Sequence, residues 1–192
     1  IQAAIATQAF SFINLHYNVF FQRNAPAIAQ AHQQDMGIFF ISPADKGGRL
    51  YTPPERLQDL CHPYDPLLLS YRWLISDPRI TTLSIGPAVA SELDWPLQVA
   101  NEDGPLSEPE KECIVRLEQT QVEALGSERC SQCHACLPCP ETINIPEVLR
   151  LRNLAVAYDM TDFGQYRYGM FENAGHWFPG RRGDRCTDCG DC

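Results

Sequence analysis

Two rhythms of apolar residues alternate along the first hundred positions. Dense runs of aromatic and β-branched residues predict short, largely buried strands: "FSFINLHY" (Phe10–Tyr17), "GIFFIS" (Gly37–Ser42) and "ITTLSIG" (Ile80–Gly86). Helix-like spacing falls between and after them. "NAPAIAQAHQQ" (Asn24–Gln34) is one such stretch, and "SELDWPLQVAN" (Ser91–Asn101) is another. "DPLLLSYRWLISDP" (Asp65–Pro78) opens on an Asp at the capping position and closes before a proline. The Gly- and Pro-containing stretch "PADKGGRLYTPPERL" (Pro43–Leu57) reads as a loop. Strand and helix in strict alternation predict parallel α/β units. Three strands leave open sheet edges, and a closed eight-stranded barrel takes more than about 200 residues. Residues 1–104 therefore read as the last part of a larger α/β barrel.

After Gly104 the pattern changes. "NEDGPLSEPEKE" (Asn101–Glu112) is acidic and carries Gly and Pro, as a linker does. Ser107 and Glu110 have capping-box spacing, and a polar helix is expected to continue to Leu125. Residues 105–128 form a linker helix in this reading, and residues 129–192 a separate, cysteine-bearing domain. Within it, Ile145–Gly180 is helical in pattern at first and then rich in aromatics. Phe163, Tyr166, Tyr168, Phe171, Trp177 and Phe178 read as core packing that walls off the site described next.

Composition narrows the function classes. A net charge of −9 argues against a nucleic-acid partner, because phosphate binding needs a basic face. No apolar run is long enough to cross a bilayer, so no membrane partner is expected. No basic start with a cleavage site is visible, which makes a reducing cytoplasm the expected compartment. The chain starts at Ile1 without a methionine and stops at Cys192 inside a cysteine motif, so a longer parent protein is expected.

Of the nine cysteines, Cys61 and Cys113 stand apart and read as small buried apolar residues. The others form two clusters, "CSQCHACLPCP" (Cys130–Pro140) and "CTDCGDC" (Cys186–Cys192). Thiols so closely spaced are poor disulfide partners and good metal ligands. A C-x2-C-x2-C loop wraps three corners of an iron–sulfur cubane, and a following Cys-Pro reaches the other cluster in two-cluster ferredoxins. Cys130, Cys133 and Cys136 fit the first triplet, Cys139 with Pro140 the fourth place, and Cys186, Cys189 and Cys192 repeat the triplet. The Cys136–Cys139 gap is two residues, where the bacterial run has three. Zinc is the rival metal, but its C-x2-C pairs usually face each other across a longer loop. The duplicated triplet favours two 4Fe–4S clusters in the complete protein. His134, inside the first loop, reads as a solvent-side residue or one that supports a ligand from behind, and not as a ligand itself. In the crossed scheme Cys139 joins Cys186, Cys189 and Cys192, and the Cys130–Cys136 triplet takes its fourth thiolate from a Cys-Pro expected after Cys192.

"HYNVFFQRNAPAI" (His16–Ile28), "GIFFISPADKGGRL" (Gly37–Leu50) and "YRWLISDPRITTLSIG" (Tyr71–Gly86) resemble the sixth, seventh and eighth strand regions of aldo/keto reductases. Cys130–Pro146 and Ala157–Gly180 are similar to the C-terminal extension of the iron–sulfur-containing members of that family. The resemblance implies an α/β fold: the C-terminal part of a (β/α)8 barrel followed by a mainly helical, two-cluster ferredoxin-like domain. It implies carbonyl reduction with NADP(H) by an Asp–Tyr–Lys–His tetrad placed before Ile1, so that no catalytic residue belongs to this chain. His16 and Tyr17 fall outside that tetrad and read as barrel-rim packing. Asn14 stands where a nicotinamide-binding glutamine is frequent, and Ser42 matches a serine near the cofactor diphosphate.

Two positions depart from the family. Ile41 replaces a tyrosine that stacks on the nicotinamide, and the segment after Gly86 lacks a Lys/Arg pair for a 2′-phosphate. Lys46 and Arg49 read as a solvated loop. The expected function is an iron–sulfur oxidoreductase that exchanges electrons with a small-molecule substrate and a redox partner protein. The alternative is a non-catalytic electron-transfer or interaction subunit that keeps the barrel shape.

Overall fold

The computed structural model describes residues 1–44, 49–102, 104–173 and 180–192. The chain divides into two compact units, Ile1–Val115 and Arg116–Cys192, and the division falls inside the expected linker helix. Among the described residues no helix is long and apolar enough to cross a membrane.

The first unit is mixed α/β. Its strands β1 (Phe12–His16), β2 (Gly37–Ile41) and β3 (Thr82–Ser84) form one parallel sheet in the order β1-β2-β3. Asn14 lies opposite Phe39, and Phe39 opposite Thr82. The helices are α1 (Gln2–Ala6), α2 (Ala25–Gln33), α3 (Glu55–Cys61), α4 (Pro66–Ile75) and α5 (Asp94–Val99). Asp65 caps α4 as its position predicts, its Oδ1 accepting from the Leu67 and Leu68 N–H groups at 2.8 and 3.2 Å. The expected Pro43–Leu57 loop is shorter than the sequence suggests, because α3 begins at Glu55, with Pro54 at its N-cap position.

Strand alternation decides how this sheet is covered. Leu15, Ile38 and Phe40 turn to one face and are buried there with Ile5 of α1, Ala27, Ile28 and Ala31 of α2, and Leu74 of α4. Residues of the opposite parity, Phe12, Asn14, Phe39 and Ser84, are exposed or half-buried. Phe12 stacks on Phe39 across that face, ring centroids 5.2 Å apart. The helices α1, α2 and α4 thus bury one face only. Tyr17 sits in the core between Phe40 and Trp73, as the packing reading requires.

Helix α6 (Glu108–Leu125) crosses the division. The Glu110 carboxylate accepts from the Ser107 N–H and hydroxyl at 2.7 and 2.8 Å, and the Ser107 hydroxyl lies 3.4 Å from the Glu110 N–H. The capping box is real. Cys113 of α6 is buried in the first unit, its thiol 3.4 Å from the Cys61 carbonyl. Both isolated cysteines are core residues.

The second unit is mainly helical in its ordered elements, α7 (Ile145–Tyr158) and α8 (Thr161–Gly169). Asp159 ends α7 in the left-handed conformation, and Leu151, Leu154, Ala157, Met160 and Phe163 are buried around the turn between the two helices. The two cysteine clusters occupy irregular backbone on either side of this pair.

Candidate metal centre

All nine cysteines lie among the described residues and carry free thiols. Seven of them sit in the two loops, and α7 holds the first loop in place. Asn153, only 2% exposed, donates from Nδ2 to the Cys130 carbonyl at 2.8 Å, and its Oδ1 accepts from the Cys130 N–H at 3.4 Å. A two-way amide clamp of this kind fixes where the loop starts.

A short parallel bridge brings the second loop back beside the end of the first. Ile143 pairs with Arg181, whose N–H donates to the Thr142 carbonyl at 2.9 Å. Gly180 makes the approach possible: at φ 104° it adopts a backbone that side chains disfavour, and a Cβ there would lie 2.7 Å from Asn144 Cβ. Tyr168 then holds the chain just before Cys186, its hydroxyl accepting from the Gly183 N–H at 2.9 Å.

The two loops share a backbone conformation. Gln132 and His134 have φ of 55° and 65°, and their counterparts Asp188 and Gly190 have φ of 52° and 80°. Each pair falls at the same places in its C-x2-C-x2-C run, two and four residues after the first cysteine. The N–H of Gln132 lies 3.4 Å from Cys130 Sγ, and the N–H of Asp188 lies 3.4 Å from Cys186 Sγ. Both loops therefore curl around their first sulfur and aim a backbone donor at it. His134 is exposed.

A cavity of about 390 Å³ lies in this unit, lined by Cys136, Cys139, Cys186, Cys189 and Cys192. Cys130 and Cys133 are not in that lining. The remaining wall is mixed: Ile143 and, from α7, Ile145, Val148 and Leu149 are aliphatic, while Glu141, Asp188 and Asp191 add carboxylates. Burial pushes the Cys136 thiol up, and charge on Cys130, Cys133 and Cys192 adds to the rise, outweighing the lowering effect of its own backbone N–H. Cys133 goes the other way, held below the usual thiol range by hydrogen bonds from the Ala135 N–H and the Ser131 side chain. Among the described residues no three Cys, His, Asp or Glu side chains converge closely enough to hold a metal ion.

The aromatic expectation needs correction. Phe163 and Phe171 are buried, but Tyr166 is 45% exposed, and none of the four described aromatics lines the cavity. The wall comes from the first turns of α7, whose aliphatic residues recur at helical spacing, while the aromatics lie further along the chain. Trp177 and Phe178 lie outside the described residues, as do Lys46 and the side chain of Arg49. Sequence reasoning read Tyr168 as core packing and missed Asn153, Gln132 and Asp188. The last two had a signal in the sequence, since they occupy the same spacer position in a duplicated motif.

In the first unit Asn14 is exposed on the open face of the sheet, and Ser42 follows β2 with φ 55° and is half-buried. Asn14 lies on β1, and Ser42 directly follows β2, the strand paired with it. No protein-family model, no curated protein and no solved structure matches this chain.

Proposed function

We propose that this chain is part of a cytoplasmic iron–sulfur oxidoreductase of aldo/keto-reductase type, in which the second unit holds 4Fe–4S clusters. The observation that carries the reading is the duplication: two cysteine triplets with the same left-handed positions and the same backbone donor aimed at the first sulfur. Soft thiolates in number, with apolar residues around them, suit iron–sulfur chemistry better than a four-thiolate zinc site, which needs only one set of four. The residues fit the group. Metal ligation supplies the final convergence of the donors, since it requires thiolates that otherwise repel one another.

In this reading Cys186, Cys189 and Cys192 hold one cluster with Cys139, all four of which line the cavity. Cys130, Cys133 and Cys136 hold three corners of the other. Such clusters supply single-electron transfer when bound. The chain's own residues do the rest. Asn153 and Tyr168 position the loops, the Gln132 and Asp188 N–H groups donate to the first sulfurs, and Ile143, Ile145, Val148 and Leu149 give the cavity an aliphatic side.

For the first unit, helices on one face of a parallel sheet support a barrel, whose interior is lined by the other face; a doubly wound sheet is covered on both. Asn14 on the uncovered face and Ser42 at a strand end are the residues proposed to contact NADP(H), beside a small-molecule substrate. Ile41 and the absence of a basic pair after Gly86 favour the second reading, a non-catalytic electron-transfer subunit with a redox partner protein.

Iron and acid-labile sulfide analysis of anaerobically purified protein, with an absorption spectrum, tests the proposal. About eight irons and eight sulfides are expected in the complete protein, as two cubanes require. Stoichiometric zinc without labile sulfide overturns it.

A further inference from the structure

The second cysteine loop is steered by the residues just before it. Cys186–Cys192 is exposed throughout, and a short 3-10 turn, Gly183–Arg185, leads into it. The end of α8 holds this stem. Arg182 Nη2 donates to the Gly169 carbonyl at 3.0 Å, and its guanidinium lies over the Tyr168 ring, 6.0 Å from the centroid. Glu172, in the turn that follows α8, adds a further hold. Its Oε1 accepts from the Arg182 N–H and from Arg185 Nε, both at 3.4 Å, so one carboxylate grips the stem at both ends of the turn.

Two features set Glu172 apart from an ordinary surface acid. Its backbone is left-handed, at φ 67°, a conformation that a residue with a Cβ keeps only where its surroundings impose it. Its carboxyl is held below the usual carboxylate range, first by the hydrogen bond from Arg185 and further by the Arg182 N–H, over the opposing effect of burial. The first loop repeats the arrangement. The Arg129 N–H reaches the Gly126 carbonyl and the Arg185 N–H the Arg182 carbonyl, each at 3.3 Å and at the same places before the first cysteine. Arg129 faces Glu118 of α6 at 3.7 Å, as Arg185 faces Glu172 at 3.4 Å. A turn closed by an arginine–glutamate pair thus introduces both triplets.

We propose that Glu172 is a positioning residue of the metal centre, a clasp on Arg182 and Arg185 that sets where the Cys186–Cys192 thiols enter the cavity and slows their release of a bound metal group. The inference rests on the iron–sulfur reading of this loop. Groups behind the ligands orient them and tune how firmly a metal is held. Here the ligands sit on an exposed loop, so their orientation is inherited from the stem. A stem free to swing lets the loop peel away one thiolate at a time. Loss of metal to a competitor is therefore the quantity that the clasp controls.

The test follows metal loss cysteine by cysteine. The full chain, reconstituted anaerobically with iron and sulfide, is mixed with excess chelator and quenched at intervals with an alkylating reagent, and mass spectrometry reads which thiols have lost protection. Glu172→Gln should speed the loss at Cys186, Cys189 and Cys192 by about two- to fivefold, the worth of an exposed ion pair, with Cys130 and Cys133 at their wild-type rates and the circular dichroism unchanged. Arg185→Gln should act alike, and the double variant should be no faster than either single one, because both remove the same interaction. A wild-type rate in Glu172→Gln, equal acceleration at both loops, or additive effects of the two changes overturn the inference. Failure of the underlying reading looks different: a wild-type chain that takes up no iron and labile sulfide shows no protection to lose.

Discussion

Replacing Glu110 is expected to weaken the first unit more than any single surface change, because it breaks a buried ion pair and a helix cap together. The Arg72 guanidinium and the Glu110 carboxylate meet at 3.0 and 3.4 Å, and their side chains are 9% and 10% exposed. Breaking such a pair by removing one partner costs about 3–5 kcal/mol, since the other charge stays buried. The lower end applies here. Arg72 keeps partners in the carbonyls of Glu102, Gly104 and Pro105 and in the Glu102 carboxylate. The lost Ser107 contacts add about 1 kcal/mol, the usual worth of a cap. Glu110→Ala should therefore cost about 4 kcal/mol, read from the urea midpoint by circular dichroism at unchanged m. A loss below about 1 kcal/mol would refute the reasoning.

The same site sets a pH dependence. Burial pushes the Glu110 carboxyl up, but hydrogen bonds from Arg72 and Ser107 outweigh it and hold the group below its ordinary 4.5. A carboxyl depressed in the folded state stabilises fully above its unfolded value and loses that contribution as pH falls through the folded one. The gap between wild type and Glu110→Gln should thus be constant at neutral pH and close below 4.5. The double variant Arg72→Met/Glu110→Leu should recover at least half of the Glu110→Ala loss, because an apolar pair of similar volume leaves no buried charge.

Three further outcomes are expected. Cys139→Ser should perturb the spectrum of the cluster bound by Cys186, Cys189 and Cys192 and spare the other; damage confined to the Cys130–Cys136 cluster would show that each loop ligates for itself. Gly180→Ala should destabilise the second unit by more than about 1 kcal/mol, through a disfavoured backbone and a 2.7 Å clash with Asn144 Cβ, and should speed iron loss to a chelator. In metal-free protein, a thiol reagent should label Cys133, Cys186, Cys189 and Cys192 fastest and leave Cys61 and Cys113 protected until denaturant is added; early labelling of either buried thiol would contradict its place in the core.

Much of the local structure is written in short-range patterns. Branched and aromatic runs marked β1 and β2, Asp65 before Pro66 marked the start of α4, and Ser107 with Glu110 marked α6, because caps and strand patterning act over a few residues. The cysteine triplets were legible for the same reason, their spacing being set by one turn of loop. Helix α3 escaped because its seven residues follow a Gly/Pro-rich stretch that dominates the local signal.

What surrounds the thiols depends on residues far apart in the chain. Asn153 reaches back to Cys130, Gly180 lets Arg181 pair beside Ile143, and the first turns of α7 supply the cavity wall that the aromatics were expected to form. No periodicity encodes such contacts, because each depends on where separate elements come to rest. The sequence determined which atoms were offered for chemistry, through residue type and spacing. Only the tertiary structure decided that Cys136, Cys139 and the last three cysteines share one cavity, because that requires the chain to return on itself after α8.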